Sequence, residues 1–106
     1  MVKNIEMVRG DTLSFGIEFE GLDQDLDAAY FTVRNRDNDG QILQKSIGDG
    51  ITKTEANKYR VRVAPEDTAN VTPGVYNYDL EITVGDDVYT ILRGTLQLFR
   101  DETRRS

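Results

Sequence analysis

The stretch of sequence that decides the fold runs from Thr68 to Gly94 and reads TANVTPGVYNYDLEITVGDDVYTILRG. After Pro73-Gly74 the chain carries an aromatic or aliphatic side chain at every second position, namely at Tyr76, Tyr78, Leu80, Ile82 and Val84. A period of two over that length predicts a β-strand with one buried face. Gly85-Asp86-Asp87 then predicts a tight turn into a second strand, so the stretch as a whole predicts a β-hairpin.

Alternation of the same kind recurs upstream of this hairpin. It predicts strands over Thr12–Glu20, Ala28–Arg34 and Lys58–Ala64, and the hairpin signal Asp37-Asn38-Asp39-Gly40 predicts a return strand near Gln41–Ile47. Turn-forming residues separate these segments about every ten residues, which is the spacing of an all-β sandwich or barrel. Only Pro65–Val71 favours a single helical turn, because Pro65 suits a first helical position. We therefore expect one β-sandwich domain of seven to nine strands over residues 1–100, with a charged C-terminal tail at residues 101–106.

Composition limits the classes of function. The chain has 106 residues, no cysteine and no histidine, which excludes disulfides, zinc–thiolate sites and the usual general base. Its net charge is −6, so it has no basic footprint for nucleic acid or an anionic membrane. Adjacent carboxylates such as Asp86-Asp87 point apart and do not form a glycosidase pair. We expect no catalysis, no cofactor, and synthesis in the cytoplasm without a signal peptide.

The last segment, Val88–Arg100, permits two interpretations. In one phase Val88, Leu92, Leu96 and Leu98 point inward, which leaves Tyr89, Ile91 and Phe99 on the other face. A β-bulge at Gly94 would switch the phase midway, and we favour that interpretation. The alternative is an exposed apolar stripe, which would mark Tyr89, Ile91 and Phe99 as a partner interface.

The segment from Asn35 to Gly40 has a weak likeness to a calcium-binding loop. Oxygen-bearing side chains lie at positions 1, 3 and 5, and a glycine lies at position 6. Position 12 would be Ser46, which cannot supply the bidentate carboxylate that closes such a site. The tip of a hairpin accounts for these residues without a metal, and weak calcium binding remains the alternative.

Pro65-Glu66-Asp67-Thr68-Ala69, followed by a Tyr-x-Tyr strand, is similar to the corner between the fifth and sixth strands of an immunoglobulin-type sandwich. In that corner a tyrosine hydroxyl donates a hydrogen bond to upstream backbone. Tyr76 is the candidate corner tyrosine, Tyr78 lies where an antibody domain has a cysteine, and Asp67 and Thr68 belong to the same corner. The predicted fold is therefore an immunoglobulin-like antiparallel β-sandwich.

An ordered set of short motifs extends this likeness over residues 8–100. The set consists of Gly10-Asp11-Thr12, Pro65-Glu66-Asp67-Thr68, Gly74-x-Tyr76-x-Tyr78-Asp79-Leu80 and Tyr89-Thr90-x-x-Arg93-Gly94-Thr95. It resembles small β-sandwich proteins of phage and prophage tails, and in particular the N-terminal domain of upper baseplate proteins of phages that infect Gram-positive bacteria. The resemblance implies a virion structural protein that binds other tail or baseplate proteins, often as an oligomer, and that is made in the bacterial cytoplasm.

A carbohydrate-binding or surface-adhesion domain is the alternative function. It would require tyrosine rings exposed side by side as a platform, drawn from Tyr30, Tyr59, Tyr76, Tyr78 and Tyr89. Alternation in the strands instead favours buried positions for most of these rings.

Overall fold

The computed structural model describes residues 3–21 and 24–101, so residues 102–106 of the predicted tail lie outside the described chain. Within the described residues the elements are β1 (Ile5–Val8), β2 (Leu13–Glu18), β3 (Ala28–Asn35), β4 (Gln41–Ile47), β5 (Gly50–Glu55), β6 (Lys58–Val63), α1 (Pro65–Thr68), β7 (Gly74–Val84) and β8 (Asp87–Phe99). None of the helices in these two ranges is long and apolar enough to span a membrane.

The eight strands follow the order β1-β8-β7-β3-β4-β5-β6-β2 in one hydrogen-bonded sheet. The link between β4 and β5 is short, because only Ser46 with Gly50 and Ile47 with Ile51 are paired there. The sheet folds over at this link into a layer of five strands, β1-β8-β7-β3-β4, and a layer of three, β5-β6-β2. The rings of Phe15 in β2 and Phe31 in β3 lie 5.6 Å apart, although three other strands separate β2 from β3 in the sheet order.

The core lies between the two layers and is built from the alternating residues of each strand. Its most deeply buried side chains are Phe31, Val33, Ile51, Val61, Val63 and Leu80. Burying one such side chain contributes about 1.5–3 kcal/mol to folding. Phe31 also contacts the ring of Tyr78, and Phe19 packs edge-on against Tyr59. Alternation in the sequence is thus the direct cause of the two-layered core.

Two strands were not predicted from the sequence. β1 has only four residues, and β5 buries only Ile51 among polar neighbours, so neither gives a clear alternating pattern. Most strand pairs are antiparallel, whereas β1 pairs with β8, and β4 with β5, in parallel. The predicted helical turn is shorter than expected and ends at Thr68.

The bulge expected at Gly94 lies instead at Ile91. Leu80 pairs with Leu92 and Glu81 with Thr90, so Ile91 is the extra residue on β8. Gly94 has a different role, since the Lys3 amide donates to the Arg93 carbonyl at 2.8 Å and brings the N-terminal segment across the strand. A β-carbon at position 94 would overlap the Lys3 carbonyl.

We predict that Gly94→Ala lowers the free energy of unfolding by about 2 kcal/mol, because the added methyl group forces the backbone of Lys3 away from β8. Gly16→Ala is the matched control, since its β-carbon would lie at an ordinary contact distance of 3.7 Å from Arg60 Nη2. Urea unfolding of both variants measures the difference. Equal stability of the two variants would contradict the close approach.

Candidate binding site

The predicted corner residues tie α1 to the rest of the sandwich. Asp67 Oδ2 accepts hydrogen bonds from the Ala64 amide at 2.7 Å and from Lys45 Nζ at 2.8 Å. The side chains of Lys45 and Asp67 are only 12% and 19% exposed, so this ion pair is less screened than a surface pair. Thr68 is buried, and its hydroxyl accepts from the Gly10 amide at 2.9 Å. Through these contacts, Asp67 and Thr68 stabilise the position of α1 in the fold.

The hydroxyl groups of the buried tyrosines are bonded to backbone. Tyr76 donates to the carbonyl of Thr72, four residues upstream, as a corner tyrosine does. Tyr78 donates to the carbonyl of Lys3 at 2.6 Å and so holds the N-terminal segment to β7. Both rings belong to the hydrophobic core. Neither side chain is therefore presented to a ligand.

A platform of adjacent aromatic rings is not formed by the two exposed tyrosines. Tyr30 is 38% exposed and Tyr89 is 51% exposed. Tyr30 lies opposite Glu81 and Tyr89 lies opposite Ile82, and directly opposite residues share a face of the sheet. Since Glu81 and Ile82 are consecutive in β7, the two tyrosines lie on opposite faces.

Tyr89, Ile91 and Phe99 do not form the single face that the sequence suggested. Tyr89 shares the inner face with Ile82, whereas Phe99 follows the inward-facing Leu98 and lies on the outer face. Ten positions separate Tyr89 from Phe99 along β8, and the bulge at Ile91 lies between them. The three residues therefore do not form one apolar stripe, and Ile91 lines the groove that is described below.

The segment from Asn35 to Gly40 forms the tip of the β3–β4 hairpin. Asn35 Oδ1 accepts from the Asp37 amide at 3.0 Å, and Asn38 Oδ1 accepts from the Gly40 amide at 2.8 Å. The first bond directs one expected ligand oxygen, Asn35 Oδ1, to the backbone of the loop, and the second closes the turn through Asn38. Over residues 3–21 and 24–101, no group of three or more acidic, histidine or cysteine side chains is placed to hold a metal ion.

A candidate site is formed by an apolar groove at the open side of the sandwich, opposite the β4–β5 link. Its volume is about 560 Å³, and it runs between β2 in the smaller layer and β1, β7 and β8 in the larger. The residues that line it are Lys3, Ile5, Leu13, Phe15, Gly16, Ile17, Glu18, Phe19, Leu80, Ile91 and Leu92.

The groove is open because β2 is the terminal strand of the smaller layer. Its inward-facing residues Leu13, Phe15 and Ile17 remain half-buried, whereas the corresponding residues of the neighbouring β6 are fully buried. Alternation in the sequence places these side chains on one face of the predicted strand. Alternation gives the face on which a residue lies but does not tell whether another strand covers that face.

The outer face beside this edge carries positive charge. Lys58, Arg60 and Arg62 alternate along β6 and lie opposite Glu18, Gly16 and Ser14 of β2, respectively. Arg60 Nη1 donates to Ser14 Oγ at 3.1 Å. On the neighbouring β5, Lys53 lies opposite Tyr59 and so follows the inner face; its Nζ donates to Asp25 Oδ1 at 2.5 Å, and this hydrogen bond raises the pKa of Lys53. The groove thus has an apolar floor and a basic flank in a protein whose net charge is −6.

Burial also raises the pKa of Tyr78, so the folded protein holds this phenolic proton to a higher pH than the unfolded chain does. The contribution of Tyr78 to stability is therefore complete below pH of about 10 and is lost as the pH rises through the folded pKa. We predict that Tyr78→Phe loses about 1 kcal/mol at neutral pH, through the missing hydrogen bond to Lys3, and declines less steeply in alkali.

Urea unfolding across a pH series measures both effects, and Tyr89→Phe at an exposed position is the matched control. If Tyr78→Phe showed the same alkaline decline as the unmodified protein, the ionisation of Tyr78 would not be coupled to folding.

Comparison with known proteins addresses the fold. The sequence matches no protein-family model, and a search of curated proteins finds no matching relative. The Ig-like domain of mouse leukocyte-associated immunoglobulin-like receptor 1, solved as a strand-swapped dimer, is similar in structure with a TM-score of 0.56 and 9% identity, over 91% of this chain and 88% of that one. A marsupial T cell receptor is similar with a TM-score of 0.51 and 12% identity, over 97% of this chain and 51% of that one. The predicted immunoglobulin-like β-sandwich is confirmed.

Proposed function

We propose that this chain is a non-catalytic, protein-binding structural module of a phage or prophage tail or baseplate. The observation that supports protein binding is the apolar groove beside the free edge of β2. Half-buried Leu13, Phe15 and Ile17 would gain further burial only when another surface covers them. An exposed edge strand next to such a groove is a site where a further strand adds to a sheet.

The placing of the phage-like motifs is consistent with a structural role. Gly10 and Thr68, from two separate motifs, are joined by the hydrogen bond from the Gly10 amide to the Thr68 hydroxyl. Tyr76 and Tyr78, from a third motif, hold the corner and the N-terminal segment through their hydroxyls. The motifs therefore build a rigid scaffold, and the scaffold leaves the edge of β2 open to partners.

Protein is a better partner for this groove than carbohydrate. Sugar-binding sites use aromatic rings set side by side, and the exposed Tyr30 and Tyr89 lie on opposite faces. The groove offers aliphatic and phenylalanine side chains together with an edge of β2 that no other described strand covers, and both features suit an extended polypeptide. The strand-swapped dimer of the mouse receptor domain supports association through strands as a property that this fold permits.

The virion role predicts that the protein is present in purified phage particles from its host strain, in a constant ratio to the major tail protein. Deleting the gene should remove assembled tails or baseplates, as seen by negative-stain microscopy, and should abolish infectivity. Complementation with the unmodified gene is the positive control. Mass spectrometry of density-purified particles measures the ratio.

Particles that lack the protein and keep normal tails would overturn the virion role. Binding of the isolated protein to a glycan array, with loss of binding in Tyr30→Ala or Tyr89→Ala, would support the carbohydrate alternative instead.

A further inference from the structure

The backbone groups on the free side of β2 belong to its even-numbered residues. The Phe19 amide donates to the Asn57 carbonyl at 2.8 Å, which continues the antiparallel ladder between β2 and β6. In such a ladder, hydrogen-bonded and non-hydrogen-bonded pairs alternate, so the odd-numbered residues of β2 bond to β6. The N–H and C=O groups of Ser14, Gly16 and Glu18 therefore point away from β6, along the open edge.

We propose that two copies of this chain pair antiparallel through their β2 edges, about a two-fold axis at Gly16. This inference rests on the proposed protein-binding role of the groove, and it identifies a second copy of the chain as the occupant. Gly16 then lies opposite Gly16 of the second copy, and Ser14 lies opposite Glu18 of the second copy. This register uses all three free-edge residues of each β2 and forms about six backbone hydrogen bonds.

The same register matches the apolar side chains on the inner face. Because opposite residues share a face, Phe15 lies opposite Ile17 of the second copy. Leu13 likewise lies opposite Phe19 of the second copy. Each apolar side chain that lines one groove along β2 therefore meets an apolar side chain of the other copy, and the two grooves are covered together.

Charge complementarity on the outer face favours a second copy as the occupant. Glu18 of the second copy comes opposite Ser14, whose hydroxyl already accepts from Arg60 and which lies across from Arg62 on β6. The carboxylate thus reaches two guanidinium groups, and symmetry repeats the contact. At the axis, the two glycines bring no side chains together.

The edge of β2 also lacks the features that usually prevent such pairing. The β2–β6 register runs from Leu13 to Glu18 without a shift, so no bulge twists the strand away. The strand contains no proline and no lysine, and its inward-facing residues are all apolar.

Cysteine crosslinking tests the register, because the chain has no cysteine of its own. Gly16→Cys places two thiols across the axis, at the Cα separation of directly paired strands, about 5.5 Å, which a disulfide can span. Mild oxidation should convert most of this variant to a covalent dimer. Ser14→Cys is the matched control and should stay at least tenfold less crosslinked, because its counterpart lies four residues away along the second strand.

Backbone and charge variants test the association in solution, measured by light scattering against the monomer mass of 12.0 kDa. Gly16→Pro removes an N–H that faces the open edge and not β6, so the fold tolerates it while the dimer should weaken on the order of 100-fold. Gly16→Ala keeps the N–H and should keep the dimer. Glu18→Lys should weaken the dimer on the order of tenfold, and adding Arg60→Glu should restore it.

Two results together would overturn the pairing. The unmodified protein would remain monomeric at millimolar concentration, and Gly16→Cys and Ser14→Cys would crosslink equally. If that monomer is nevertheless a component of phage particles, the second-copy inference fails and the virion role stands. If the protein forms a β2-paired dimer but is absent from phage particles, the second-copy inference stands and the virion role fails. Far-ultraviolet circular dichroism and thermal unfolding identify any variant that fails to fold, and in that case the Glu18→Lys and Arg60→Glu pair supplies the decision.

Discussion

The structure depends on burying two apolar faces between layers of unequal size. Among the described residues, the strands of the two layers pair with each other only at the short β4–β5 link. On that side the core is closed, and Phe31 and Ile51 are almost fully buried. On the other side the smaller layer ends at β2 while the larger continues to β1. The groove follows directly from this mismatch, since a single terminal strand cannot cover both its own inner face and the space beyond it.

Because the link between the layers is thin, other contacts must fix how they sit on one another. The corner at α1 provides them, through the pairing of Asp67 with Lys45 of β4 and the bond from Gly10 to Thr68. Within the larger layer, the hydroxyl of Tyr78 holds Lys3 against β7. A buried polar group is costly unless it is paired, so these bonds also specify one arrangement of the corner. The hydrogen-bonded corner and the open edge are both consequences of one architecture.

Periodicity in the sequence was enough to predict the fold class and most strands, and β4 has the predicted bounds. Periodicity failed where the structure depends on which residues from other parts of the chain lie next to a strand. Gly94 was interpreted as a bulge, because a bulge and a close backbone approach both favour glycine, and only the position of Lys3 distinguishes them. The alternative interpretation placed Tyr89 and Phe99 on one face, because the extra residue at Ile91 leaves no mark in composition. The groove could not be predicted either, since Phe15 carries the same alternating signal whether or not a further strand covers it.

The net charge of −6 on each copy opposes self-association at long range. The charges close to the paired edges of β2 reduce this opposition. At physiological ionic strength the repulsion between distant charges is screened beyond about 8 Å. Contacts within the paired edges are shorter than this, and there the basic flank of Arg60 and Arg62 meets the acidic Glu18 of the other copy. Apolar burial of Phe15 and Ile17 does not depend on charge at all. An acidic surface with one basic flank thus disfavours most encounters between copies and favours the one in which the two open edges meet.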